Sequence, residues 1–187
     1  MTLRNVWRNS FFICIFSFLL GACTNHRSSY STSSSDYPYS ANYDESKYSL
    51  MMPQKISAKG KVIIVDPKVY AWGAYENGQF VRGGIANAGA NFCPDENRPC
   101  RTTTGTFRIY SMGDVNCASK IYPIPKGGAL MPYCMFFHQG ESLHGSPDHI
   151  LSENNISHGC IHMRIPDAEW LRYNFASVGT KVVIEPY

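Results

Sequence analysis

Apolar positions follow three regimes along the chain. Phe11 to Leu20 is an unbroken apolar run behind a start carrying Arg4 and Arg8. From Thr24 to about Ser57 the aliphatic residues nearly vanish and Ser, Tyr and Asn take over, as in Ser28-Ser29-Tyr30-Ser31-Thr32-Ser33. From Lys61 onward short β-branched and aromatic runs return, separated by Gly, Asn and Pro. Lys61–Val65 and Val69–Tyr75 read as two strands, and Asn77-Gly78 as a tight turn into a third strand at Gln79–Val81. A glycine- and asparagine-rich loop then leads to a strand at Gly105–Tyr110, and Met131–His138 forms an aromatic strand. Pro166-Asp167-Ala168-Glu169 opens a helix, with Ala168, Leu171 and Phe175 at helical spacing, and Lys181–Glu185 is a closing strand. The expected fold is mainly β, a β-rich α+β domain with one or two short helices.

The ends decide what belongs to that domain. A bilayer-spanning helix needs about twenty apolar residues, about twice the Phe11–Leu20 run, so residues 1–22 read as a secretory signal and stay outside the fold. Leu20-Gly21-Ala22-Cys23 resembles the lipobox of bacterial lipoproteins, which implies that Cys23 carries a lipid anchor. Thr24 rather than an acidic residue after it favours the outer membrane, which places the protein on the periplasmic side of the cell envelope. Residues 23–57 are too poor in apolar side chains to offset their ordering entropy and read as a flexible tether. Residues 58–187 are long enough for one domain with a single core. The formal net charge of +3 comes without a clustered Lys/Arg run, and nothing points to nucleic acid.

Cysteine parity adds chemistry. Of seven cysteines, Cys14 lies in the signal and Cys23 at the lipid site, leaving Cys93, Cys100, Cys117, Cys134 and Cys160. In an oxidising compartment an even subset pairs, and the remaining one invites a chemical role. Four cysteines allow three connectivities; the short, proline-bounded loop from Cys93 to Cys100 favours Cys93–Cys100 with Cys117–Cys134.

The stretch from His138 to Arg164 holds five of the six histidines, and in Ser157-His158-Gly159-Cys160 the odd cysteine sits beside one of them. A cysteine next to a histidine, shortly before a helix, is where a lowered thiol pKa is expected; free cysteine, at about 8.5, is only slightly ionised at neutral pH. His158 and His144 both qualify as the base, and the residues alone do not choose between them. Zinc ligands could also be drawn from this set, but no helical His-Glu-x-x-His pattern is present, so no metal is expected. His138 and His149 read as structural or surface histidines, and Trp72 and Trp170 as core.

His144-Gly145-Ser146 together with Ser157-His158-Gly159-Cys160 resembles the signature of the L,D-transpeptidase catalytic domain, also called the YkuD domain. Thr103-Thr104-Gly105-Thr106-Phe107 resembles that family's threonine- and glycine-rich strand, with Thr103 where proline is usual. The resemblance implies a β-sandwich, Cys160 as nucleophile, His144 as base, Gly145 or Ser146 orienting the imidazole, and N–H groups near Gly159 and Cys160 as oxyanion donors. It further implies acyl transfer on peptidoglycan stem peptides through a thioester, with release of D-alanine and an amine of a second stem peptide or an envelope protein as acceptor. Ser157, His158, His162 and Arg164 are the expected substrate-side residues. His162 stands where the family commonly has arginine, so a pH-dependent charge there, or Arg164 reaching in, is the expected substitute. Two alternatives stand beside this reading: carboxypeptidase or endopeptidase action with water as acceptor, and a wall-binding module without catalysis.

Overall fold

A computed structural model describes residues 44–187. The signal, Cys23 and the tether up to residue 43 lie outside the described residues. The strands are β1 (Lys61–Asp66), β2 (Ala71–Glu76), β3 (Gln79–Asn87), β4 (Gly105–Arg108), β5 (Ser111–Met112), β6 (Met135–His138), β7 (Glu141–Ser146), β8 (Ile161–Arg164) and β9 (Lys181–Ile184). They form one curled sheet in the order β4-β9-β1-β2-β3-β8-β7-β6-β5.

The β1–β2–β3 meander follows from the sequence pattern. Four β-branched residues run consecutively along β1, Val62 to Val65, and the β2–β3 turn places Asn77 at φ 50° and Gly78 at φ 82°, the left-handed pair that matches a hairpin's twist. β3 runs on to Asn87, through glycines that read as loop. Gly83 is glycine because neighbouring backbone leaves no room for a side chain: a Cβ on it would lie 2.5 Å from the Trp72 carbonyl oxygen.

The core lies inside the curl. Ile63, Val65, Trp72, Met135, Leu143, Met163 and Val182 are buried together, each large aliphatic contributing about 1.5–3 kcal/mol relative to exposure. Phe107 on β4 meets Phe137 on β6 with ring centroids 5.5 Å apart, so distant strands face one another across it. Helix α2 (Ile165–Trp170) has Pro166 in its first turn and continues into a wide turn at Leu171–Phe175. It buries Ala168, Leu171 and Phe175, the expected face.

The folded unit starts earlier than Ala58. Helix α1 (Glu45–Met51) lies in what reads as tether, with the Asp44 side chain accepting from the Ser46 N–H. Tyr48 and Met52, four residues apart, pack with Ala71 and Ile85, and Ser49 Oγ donates to the Gly83 carbonyl at 3.0 Å. Two well-spaced apolar side chains and a cap suffice to dock a segment whose average composition reads as disordered.

Candidate active site

β7 and β8 run parallel, pairing Leu143 with Ile161, His144 with His162, Gly145 with Met163 and Ser146 with Arg164. Because side chains alternate, Ser142 and His144 share a strand face with Cys160 and His162. Ser142 Oγ lies 3.7 Å from Cys160 Sγ, and the Gly140 carbonyl oxygen is 4.0 Å from that sulfur. The His144 and His162 rings meet with centroids 4.9 Å apart. Both strands escape recognition in the sequence: β7 is Glu-Ser-Leu-His-Gly-Ser, polar at alternate positions yet buried on both faces from Ser142 on.

His144 is buried, and its Nδ1 bonds the Gly145 carbonyl at 2.9 Å. A proton on Nδ1 satisfies that bond and leaves Nε2 as the basic nitrogen. Burial pushes the imidazole pKa down to about 4, with the Gly145 bond opposing. Gly145 is glycine because α2 packs on it: a Cβ there would come 2.9 Å from Ile165 Cα. Of the two orienting groups expected, the contact belongs to Gly145, while Ser146 sits buried opposite Arg164 in the ladder.

Cys160 carries the free thiol among the described residues. Disulfides join Cys93 to Cys100 and Cys117 to Cys134, the pairing the loop length favours. The expected lowering of the thiol pKa is overturned. Cys160 leads into strand β8 rather than a helix, and burial raises its pKa, with bonding to Ser142 opposing and the Glu141 charge adding a smaller push upward.

The substrate-side expectations shift inward. Ser157 is buried, accepts from the Gly159 N–H at 3.1 Å and donates to the Cys160 carbonyl, so its hydroxyl is spent inside the loop. His162 does not supply a cation: burial, then the neighbouring His144 and His158, drive its pKa down to about 3. Arg164 is buried and faces Asp148, with Nε 3.5 Å from Oδ1, so its charge is directed to that carboxylate. His158 bonds Asp95, Nε2 to Oδ2 at 2.7 Å. His138 packs on Phe107, and His149 is exposed.

Thr102 and Glu141 join the site without a signal in the sequence. Thr102 Oγ1 donates to the Gly159 carbonyl at 2.8 Å. Thr103 gives its N–H and Oγ1 to Glu141 Oε1 at 3.0 and 3.1 Å, a clamp that proline, with neither an N–H nor a hydroxyl, could not make. Cys93, Asp95 and His158 bring ligand-type atoms within 4.8 Å of one another, but the Cys93 sulfur is committed to its disulfide.

Residues 60–184 match the family model described as the L,D-transpeptidase catalytic domain, YkuD. The chain belongs to the L,D-transpeptidase catalytic domain family. Similar solved structures include an L,D-transpeptidase from Xylanimonas cellulosilytica, 25% identical with a TM-score of 0.60, covering 72% of this chain and 64% of that one. One from Stackebrandtia nassauensis is 24% identical with a TM-score of 0.57, covering 71% and 59%. L,D-transpeptidase 3 from Mycobacterium tuberculosis, solved with a faropenem-derived adduct, is 21% identical with a TM-score of 0.56, covering 68% and 60%. The chain thus spans less than two thirds of each of these three chains. No curated protein matches it. In the L,D-transpeptidase domain as folded here, the oriented histidine lies on β7 opposite His162, and the free cysteine lies two residues before His162, at the entry to the adjacent parallel strand β8.

Proposed function

We propose that this protein is a cysteine acyltransferase acting on peptidoglycan stem peptides. The observation that carries the reading is the free thiol of Cys160 on the same face as His144, whose Nδ1 is fixed by the Gly145 carbonyl. Both partners rest neutral, because burial raises one pKa and lowers the other. The proton therefore moves at the moment of attack, and the ion pair forms as the sulfur bonds carbon.

The Cys160 sulfur attacks the carbonyl at the L-centre of the diamino acid in a stem tetrapeptide, its proton passing to His144 Nε2. The Gly159 N–H is occupied by Ser157, so the oxyanion role falls to the Cys160 N–H. Collapse breaks the C–N bond, His144 protonates the departing D-alanine, and a thioester remains on Cys160. An acceptor amine then attacks that thioester, loses its proton to His144, and the thiolate leaves and is reprotonated. The acceptor is a second stem peptide or a protein's lysine; water in that place gives carboxypeptidase or endopeptidase action. We assign the domain to the periplasm, tethered through a lipid on Cys23, where stem peptides lie.

Intact-mass analysis of the purified protein with a carbapenem tests the reading. A one-to-one adduct mapping to Cys160 is expected. An unmodified protein that still binds sacculi would favour a wall-binding module instead.

A further inference from the structure

The segment carrying the nucleophile is gripped from two sides. On one side, Ala90 N–H donates to the Ser157 carbonyl at 2.8 Å and Ser157 N–H to the Ala88 carbonyl at 3.1 Å, while Thr102 Oγ1 holds the Gly159 carbonyl. On the other, the grip comes from a small loop outside the sheet. Cys93 and Arg98 pair across that loop, Cys93 N–H donating to the Arg98 carbonyl at 2.9 Å, and the Cys93–Cys100 bond closes its base. The base nests against Gly89, where a Cβ would lie 2.0 Å from the Cys100 carbonyl oxygen. The loop's acidic tip presents Asp95, whose Oδ2 takes His158 Nε2 at 2.7 Å, with Glu96 Oε1 3.9 Å away. The opposite side of that imidazole packs on Tyr122, ring centroids 4.8 Å apart. Tyr122 is itself held by Arg98 from the same loop, Nη2 to Oη 3.0 Å.

Between His158 and Cys160 stands Gly159 at φ 125°, a conformation open to glycine and to few other residues. Gly159 is tied through its own backbone, its N–H to Ser157 Oγ and its carbonyl to Thr102 Oγ1. The residue before it, His158, is tied through its side chain, with Nε2 engaged by the chain's own loop.

Resting on the reading of Cys160 as nucleophile, we propose that the loop closed by Cys93–Cys100 is part of the active-site scaffold and that Asp95, acting through His158, is a positioning residue for Cys160. His158 is thereby a member of this latch rather than a substrate ligand. The disulfide's role is local: it stiffens a hairpin too small to have a core of its own, so that Asp95 stays within reach of the imidazole.

The test compares two reactions at the same sulfur. Acylation by a carbapenem needs the thiol aligned with His144 and an oxyanion donor, whereas alkylation by iodoacetamide needs only an accessible thiol. Asp95 is exposed, so its variants should fold, and a melting curve checks this. For Asp95→Ala we expect carbapenem acylation to slow by about tenfold or more, as misplacement of a reacting group does, with alkylation within about twofold of the wild-type rate. Asp95→Glu should recover most of the loss, and Cys93→Ser/Cys100→Ser should reproduce it. Wild-type acylation rates in Asp95→Ala, or acylation and alkylation falling together, would overturn the latch while leaving the nucleophile in place. A wild-type protein that takes no carbapenem at Cys160 would instead sink the nucleophile reading, and the latch with it.

Discussion

The rings of His144 and His162 meet across the parallel β7–β8 pair with centroids 4.9 Å apart, and burial holds both neutral at physiological pH. Two charges side by side in a buried ladder would repel, so a proton taken up by His144 would arrive beside a neighbour that stays uncharged. His162 thus fills the place of the family's usual arginine without adding a competing cation.

Cys160→Ser should abolish both adduct formation and turnover while leaving the melting temperature close to wild type. A serine hydroxyl ionises far less readily than a thiol, and His144 is too weakly basic to compensate. Alkylation of unreduced protein should label Cys160 and spare Cys93, Cys100, Cys117 and Cys134. Retained turnover in the serine variant would remove the nucleophile assignment.

His144→Ala should lower acylation by about 10²–10⁴-fold, the usual worth of a general base, and His158→Ala by less. The base works unprotonated, so wild-type kcat/KM should hold as pH falls through the ordinary histidine range and bend down only near pH 4, the His144 value. A bend near 6.5 would show that the working base is a solvated imidazole.

Acid should destabilise the fold through His162. Its folded pKa, about 3, lies below the ordinary 6.5, so its contribution is complete above pH 6.5 and is lost as pH falls from there toward 3. The limiting slope is about 1.4 kcal/mol per pH unit. In His162→Gln, denaturant titrations between pH 6 and pH 4 should give a flatter dependence than wild type; parallel curves would mean that the ring is solvated.

Arg82 Nη2 meets the fully buried Asp167 Oδ1 at 2.8 Å, and its Nε lies 3.3 Å from Glu45 of α1. Burial nevertheless lifts the Asp167 pKa to about 6, with Arg82 pulling the other way. Removing one member of a buried pair strands the other, so Arg82→Ala should cost roughly 3–5 kcal/mol at pH 8. The loss should shrink as pH falls toward 6 and Asp167 takes up a proton. A loss that does not vary with pH would assign the effect to the Arg82 packing over Trp170.

The hairpin and the cysteine pairing were legible because they depend on local chemistry: a β-branched run, an Asn-Gly turn, a short loop between two cysteines. The motif that carries the chemistry was legible in residue identity but not in setting. Whether the Cys160 thiol is raised or lowered depends on how completely β7 and β8 enclose it, and β7 disguises its strand nature behind Glu, Ser and His. Reading Ser142 with His144, and Cys160 with His162, as period-two pairs would have found both strands. Helix α1 was hidden for another reason: Tyr48 and Met52 do its docking in a segment whose average composition is polar.

The place of β9 in the sheet has a consequence for how the domain is made. β9 is inserted between β1, which it pairs in parallel, and β4, which it pairs antiparallel. The earliest strand of the sheet therefore waits on the latest, and β1 and β4 have no direct partner in each other. Such a contact map is dominated by long sequence separations, which slows folding. A partial polypeptide that lacks β9 leaves β4 without its sheet partner and one edge of β1 open, so the sheet is completed only when the last strand has been added.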